Sequence, residues 1–250
     1  MSTIEAVILG GGGVEEWFEY EHVTNKGMLD VGGKPLIGYT VEALEGISEI
    51  SRVTLIGDGY SETVVKKVES NLPDAGSLPA NIDQAFNHAK ADYILVLTSD
   101  VPFITKDTIN GILESMDWKS YDLSMPVISK IDMNAKFPGT KRTYAKLKEG
   151  HVKVGNLFIL KREAYPKIEP IVKETAKRRK SVIKQALQLG FGFLVSLLLI
   201  KNVSIPELEK RVSKILGISV HAPILAYPEI GIDVDKPSDL EYCRGIMETH

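Results

Sequence analysis

Residues 4–13 read Ile4-Glu-Ala-Val-Ile-Leu-Gly-Gly-Gly-Gly13, a mostly apolar run that ends in four glycines. An apolar run of this length bounded by glycine has the pattern of a strand buried on both faces, as in a parallel sheet. At the carboxyl edge of such a sheet, glycine lets backbone N–H groups approach an anion closely, and ligands of open α/β folds bind at that edge. Two common phosphate loops do not fit. The dinucleotide fingerprint needs a third glycine where Glu15 and Glu16 stand. The P-loop needs Gly-Lys-Ser/Thr, but Gly33-Lys34 is followed by Pro35, and Met28 occupies the position of the first glycine.

Outward from this stretch, apolar runs alternate with amphipathic ones. Residues 53–56 and 93–97 read as further buried strands. Residues 35–44, 61–70, 81–90 and 105–116 read as helices between them. The alternation predicts a parallel sheet covered by helices on both faces. In the second half, residues 123–128, 143–147 and 155–160 read as strands, with a tight turn at Gly150. A helix-rich block follows at about 162–217. Residues 231–235 return to strand, and Pro237 opens a last helix. Strands on both sides of the helical block make it an insertion within one domain spanning 1–250.

Three segments together carry a resemblance: Leu9-Gly10-Gly11-Gly12-Gly13, Asn25-Lys26, and Gly33-Lys34-Pro35-Leu36-Ile37. They resemble the signature of the nucleotidyltransferases of the glycosyltransferase-A fold, the group that includes molybdenum-cofactor and sugar-phosphate nucleotidyltransferases. Asn25 replaces the family's proline before the lysine, and Val14-Glu15-Glu16-Trp17 replaces its arginine after the glycines. The resemblance implies a three-layer α/β sandwich with a mostly parallel mixed sheet, of nucleotide-diphospho-sugar transferase type. It implies transfer of a nucleoside monophosphate from a nucleoside triphosphate to a phosphorylated acceptor, with release of pyrophosphate. In that reading Leu9 and Gly10 to Gly13 cradle the triphosphate, and Lys26 stabilises charge on the α-phosphate and leaving pyrophosphate.

Two acids lie at strand ends. Asp100 follows the apolar run 93–97 in Thr98-Ser99-Asp100-Val101-Pro102, and Asp235 closes Gly231-Ile-Asp-Val-Asp235. A carboxylate just past a buried strand is costly unless it is exposed, paired or metal-bound, and Asp is also common in turns. The family resemblance makes Asp100 and Asp235 the ligands of Mg2+, an ion that takes one or two carboxylates and completes its shell with water and phosphate. Asp233 is an alternate, and Asp239 suits a helix N-terminus. By the same resemblance Gly76 and Ser77 lie beside the base, and Asn156 touches the acceptor. Asn81 is either part of that pocket or a helix cap.

The chain has 250 residues, a net charge of −3, 44% hydrophobic and 25% charged residues. This balance argues against nucleic acid as a partner. The lone cysteine, Cys243, excludes an internal disulfide and points to a reducing, cytoplasmic setting. The first residues have no secretory-signal pattern. The apolar stretch 189–200 is too short for a membrane span. It reads as a helical cap on the sheet or in a homodimer interface, or as a site for a lipid-linked acceptor, with Arg178 and Arg179 at the headgroup. Two rival functions remain: a glycosyltransferase of the same fold, which would favour a compact Asp-x-Asp where Thr98-Ser99-Asp100 stands, and a nucleotide-binding module without turnover, prompted by Glu15 and Glu16.

Overall fold

A computed structural model of the chain describes residues 3–177 and 203–248. The basic residues Arg178, Arg179 and Lys180 and the apolar stretch 189–200 lie outside the described residues.

Strand β1 (Ile4–Leu9) is buried at every position, which explains its mostly apolar character; the exception, Glu5, accepts from the Lys90 and Ala91 N–H groups at 3.0 and 3.2 Å. A short hairpin after the glycine loop joins β2 (Asp30–Val31) to β3 (Lys34–Pro35). In the main sheet, β1 pairs in parallel with β4 (Ile50–Ile56) on one side and β6 (Tyr93–Thr98) on the other. Beyond β4 lies β5 (Ser70–Leu72), also parallel. Beyond β6 lies β11 (Leu157–Lys161), antiparallel to it, then β7 (Leu123–Ser124) and β12 (Val220–His221). The seven-stranded order is β12-β7-β11-β6-β1-β4-β5, and only β11 runs against the rest. A second, three-stranded antiparallel sheet holds β8 (Val127–Ser129), β9 (Ala145–Leu147) and β10 (Gly150–Val154). The main sheet is mostly parallel and mixed.

Alternate side chains of β1 divide the core. Ile4, Ala6 and Ile8 belong to one apolar cluster with residues of α1 (Leu36–Leu44), α4 (Lys106–Ser115), α5 (Lys130–Lys136) and α8 (Pro237–Glu248). Val7 and Leu9 pack under α3 (Leu78–His88), α6 (Tyr165–Lys177) and α7 (Ile205–Leu216). That gives three layers, with helices on both faces of the sheet. The Phe86 and Tyr165 rings stack at 4.3 Å between α3 and α6, a contact worth about 0.5–1.5 kcal/mol beyond its area. The flanks of the helical block therefore cover the sheet. Helix α7 starts with a full capping box: Ser204 accepts from the Glu207 N–H, and the Glu207 carboxylate accepts from the Ser204 N–H.

Three elements differ from the sequence expectation. The helix expected at 61–70 is only α2 (Glu62–Val65), and Ser70–Leu72 joins the sheet as an edge strand. Residues 123–128 break at Met125-Pro126 into β7 and β8, which belong to different sheets; proline cannot donate to a ladder. Residues 231–235 form no strand. Gly231 ends a 3-10 turn and the Ile232 N–H donates to the Glu229 carbonyl, while residues 233–235 are held by side chains and by the Asp100 carbonyl. Among the described residues, no helix is long and apolar enough to cross a membrane.

Candidate active site

Register places the site. Leu9 of β1 lies opposite Thr98 of β6, so Gly10 and Ser99-Asp100 leave the sheet at one edge. The Ser99 N–H donates to the Leu9 carbonyl at 3.3 Å and ties the two exits together.

The glycine loop is shaped by its neighbours. The Gly10 carbonyl accepts from Asn25 Nδ2 at 2.9 Å and from the Tyr60 hydroxyl at 2.8 Å. A side chain at Gly10 would meet that hydroxyl at 2.1 Å, and one at Gly57 would meet the Gly10 carbonyl carbon at 2.6 Å. These two glycines are needed for close approach of backbone. A Cβ on Gly11 would strike Asn81 and Asp74, whereas Gly13 faces open space. Asp74 accepts from the Gly12 N–H at 3.1 Å, the Gly76 N–H at 2.9 Å and Asn81 Nδ2 at 2.8 Å. Burial opposes ionisation of Asp74, but these three donors outweigh it and hold its pKa below the ordinary value.

Asn25 presents Lys26. Its side chain accepts from the Gly27 N–H at 2.7 Å and donates to Gly10 and to the Asp58 carbonyl at 2.7 Å, fixing the turn that starts at Lys26. Asn25 thus anchors the turn by hydrogen bonds where a proline would constrain it by its ring. Lys26 Nζ lies 2.8 Å from Asp100 Oδ2 and 2.9 Å from Asp235 Oδ1. Burial alone would lower the Lys26 pKa. The charges of Asp100 and Asp235, with their hydrogen bonds, overcome it and raise that pKa, so the ammonium stays protonated.

Asp100 and Asp235 come together because the Val234 N–H donates to the Asp100 carbonyl at 3.1 Å. Burial and the neighbouring Asp233 charge push the Asp235 pKa up, against the pull of Lys26. Burial would raise Asp233 too, but Lys153 and Arg142 bring it down. Lys153 Nζ is 3.3 Å from Asp233 Oδ1. Asp233 therefore faces two cations of its own, Lys153 and Arg142, while it also adjoins Asp235. Among the described residues no three His, Cys, Asp or Glu side chains gather in a metal-binding group. Asp100 Oδ1, however, is buried without a hydrogen-bond partner. A bare, buried carboxylate oxygen beside a second carboxylate suits a hard divalent cation whose remaining ligands are water and phosphate.

The other expected site residues fall as follows. Leu9 is buried on the face under α3. Ser77 caps α3 by accepting from the Ala80 N–H, so the cap is Ser77 and not Asn81. Asn81 instead accepts from the Ala75 N–H and donates to Asp74. Gly76 sits exposed in the left-handed region, with φ of 82°. Asn156 donates through Nδ2 and its backbone N–H to the Ile230 carbonyl, at 3.0 and 2.8 Å. Gly32 and Gly33 form the turn of the β2–β3 hairpin with φ of 63° and 78°, and Lys34 pairs with Glu42 and lies 4.6 Å from the Tyr39 ring centre. Tyr60, Asp74, Arg142 and Lys153 escape sequence reasoning because each lies outside a motif. A hint for Tyr60 is the glycine that ends β4, since a glycine there marks close backbone approach.

A parallel sheet with a glycine loop, one ammonium and two acids at its carboxyl edge defines a class, the nucleotide-diphospho-sugar transferase type of α/β fold. Solved structures agree. A hypothetical transferase from Thermus thermophilus is 33% identical, with a TM-score of 0.79, covering 96% of this chain and 100% of that one. A 2-C-methyl-D-erythritol 4-phosphate cytidylyltransferase, also from Thermus thermophilus, shares the fold at 14% identity and a TM-score of 0.58, over 99% of this chain and 100% of that one. More narrowly, residues 6–189 match the family model described as the MobA-like NTP transferase domain, and the chain belongs to that family. A probable molybdenum cofactor guanylyltransferase from Clostridium perfringens is 34% identical over 105 residues, 42% of this chain and 50% of that protein. The chain spans about half the length of the curated relatives it matches.

Proposed function

We propose that this chain is a magnesium-dependent nucleotidyltransferase. An oxygen of the acceptor's phosphate forms a bond to the α-phosphorus of a nucleoside triphosphate, the bond from that phosphorus to the β-phosphate oxygen breaks, and pyrophosphate leaves. The observation that carries this reading is the Lys26 ammonium, 2.8 Å from Asp100 and 2.9 Å from Asp235, at the sheet edge where the glycine loop ends. Lys26 neutralises charge that grows on the departing pyrophosphate. The loop at Gly10 to Gly13 offers backbone to the triphosphate with no side chain to block it. Asp100 and Asp235 are the residues that would hold Mg2+, which when bound offsets polyphosphate charge and aligns the phosphates. Positioning and charge compensation suffice, with no covalent enzyme intermediate.

The relatives named as molybdenum cofactor guanylyltransferases make GTP with molybdenum cofactor the first substrate pair to try. The experiment is incubation with each of the four common triphosphates, Mg2+, and either that cofactor or a panel of phosphate monoesters, with pyrophosphate measured. Acceptor-dependent pyrophosphate release supports the transferase. Nucleotide binding without turnover would replace it with a silent binding module, and sugar transfer from a nucleotide-sugar would replace it with a glycosyltransferase.

A further inference from the structure

We propose that Arg142 is a positioning residue, which fixes the backbone of residues 233–235 so that the Asp235 carboxylate faces Lys26 and Asp100. Only the kinetic part of its test rests on the nucleotidyltransferase reading.

The segment needs such support because it belongs to no strand, so no ladder sets its register. Three consecutive residues are instead held by three different partners. The Asp233 carbonyl accepts from Arg142 Nη2 at 2.7 Å. The Val234 N–H donates to the Asp100 carbonyl at 3.1 Å. The Asp235 N–H donates to Asp239 Oδ2 at 3.2 Å. Arg142 Nη1 lies 3.1 Å from the other Asp239 oxygen, Oδ1. One guanidinium therefore governs two of the three restraints, the first directly and the third through Asp239.

The choice of arginine follows from this geometry. The planar fork reaches a carbonyl through Nη2 and a carboxylate through Nη1, two acceptors held at the fixed spacing of a rigid guanidinium rather than around one rotating ammonium nitrogen. The Arg142 side chain is 7% exposed and that of Asp239 10% exposed, so the contacts are little screened by water. Lys153, by contrast, bonds the Asp233 carboxylate and, among the described residues, no backbone atom of 233–235. Arg142 reaches residue 233 from the loop before β9, so it clamps two segments that meet only in the folded chain.

The test uses the full chain with R142Q, R142K, D239N and the double variant R142Q/D239N. Two quantities are read: steady-state pyrophosphate release, and amide hydrogen exchange of the peptide covering 231–236. R142Q is expected to lower kcat about 10- to 100-fold, the usual cost of losing support behind a site residue. The KM for triphosphate should change less than about threefold, because the glycine loop is untouched. Exchange at Val234 and Asp235 should quicken, R142K should rescue little, and D239N should act in the same direction. The double variant should be no worse than the worse single one, since both act through one support. Wild-type kcat in folded R142Q, or unchanged exchange at Val234 and Asp235, would overturn the proposal. Should R142Q fail to fold, D239N decides by the same two criteria. Should the wild-type chain release no pyrophosphate, the enzymatic reading fails, and hydrogen exchange alone decides the positioning role.

Discussion

Lys26 Nζ stands 2.8 Å from Asp100 Oδ2, while the other oxygen of that carboxylate is buried and unpartnered. One oxygen is thus compensated by the protein's own cation, and the second has no hydrogen-bond partner among the described residues. On the proposed reading, this division would let a single acid serve the ammonium and a metal ion together.

Removing the ammonium tests half of that arrangement. K26M keeps the length of the side chain and deletes its charge. Losing one preorganised electrostatic stabiliser should lower the rate of pyrophosphate release about 100- to 1,000-fold. It also leaves Asp100 and Asp235 facing each other without their cation. The variant should therefore melt lower than wild type, and Mg2+ should restore more of its melting temperature than it adds to wild type. Thermal melts with and without Mg2+, beside pyrophosphate assays, check both outcomes.

The metal half is tested at Asp100. D100N keeps the shape and one acceptor oxygen but removes the negative charge a hard cation needs. Chelation with EDTA should abolish wild-type turnover, and added Mg2+ should restore it. D100N should lose turnover and any rise in melting temperature that Mg2+ and triphosphate together give wild type. A D100N variant that keeps its Mg2+ response would exclude this carboxylate as a ligand.

Much of this arrangement is legible in the sequence. The central strands are visible because both faces are buried, which makes Ile4–Leu9 and Tyr93–Thr98 mostly apolar runs. Their register then carries the glycines and Asp100 to one edge. Strand β5 is hidden because Ser70-Asn71-Leu72 is a three-residue edge strand without apolar periodicity. Residues 231–235 look like a strand because Ile232 and Val234 alternate with acids, yet Ile232 bonds back to the Glu229 carbonyl and the backbone partners of 233–235 are Arg142, Asp100 and Asp239. Arg142 and Tyr60 act through loop-to-loop contacts between residues distant in sequence, which local pattern does not show for Arg142 and only hints at for Tyr60, through Gly57. The glycine of the Gly33-Lys34-Pro35-Leu36-Ile37 signature, together with Gly32 before it, forms the turn of the β2–β3 hairpin, a role the motif alone does not disclose.

Gly57 and Gly13 stand at opposite extremes, one crowded by backbone and the other facing open space. G57A places a methyl group 2.6 Å from the Gly10 carbonyl carbon, backbone that cannot swing aside. It should destabilise the fold by about 1–3 kcal/mol, the range for overpacking. G13A meets no atom within 4 Å and should melt like wild type. If backbone at Gly13 receives a phosphate, G13A should still raise the triphosphate KM. Urea unfolding and steady-state kinetics on the two variants check this contrast.

Cys243 gives a pH signature of the packed core. The thiol is fully buried, and burial pushes its pKa from 9.0 up to about 12, with Arg142 opposing and Asp239 adding to the shift. In the unfolded chain the thiol ionises near its ordinary value, while in the folded chain it stays neutral. A raised acid pKa means this part of the stability is complete below pH 9 and is lost as pH rises toward 12. Denaturant midpoints should therefore fall across that window. C243A should show a shallower fall than wild type, although its midpoint at pH 7 should be lower for want of the buried sulfur. Since Cys243 is the single cysteine, labelling by a thiol reagent at about pH 8 should be slow in the native protein and should track unfolding as urea is added. Rapid labelling of native protein would show that helix α8 opens locally, and would count against the packing described around it.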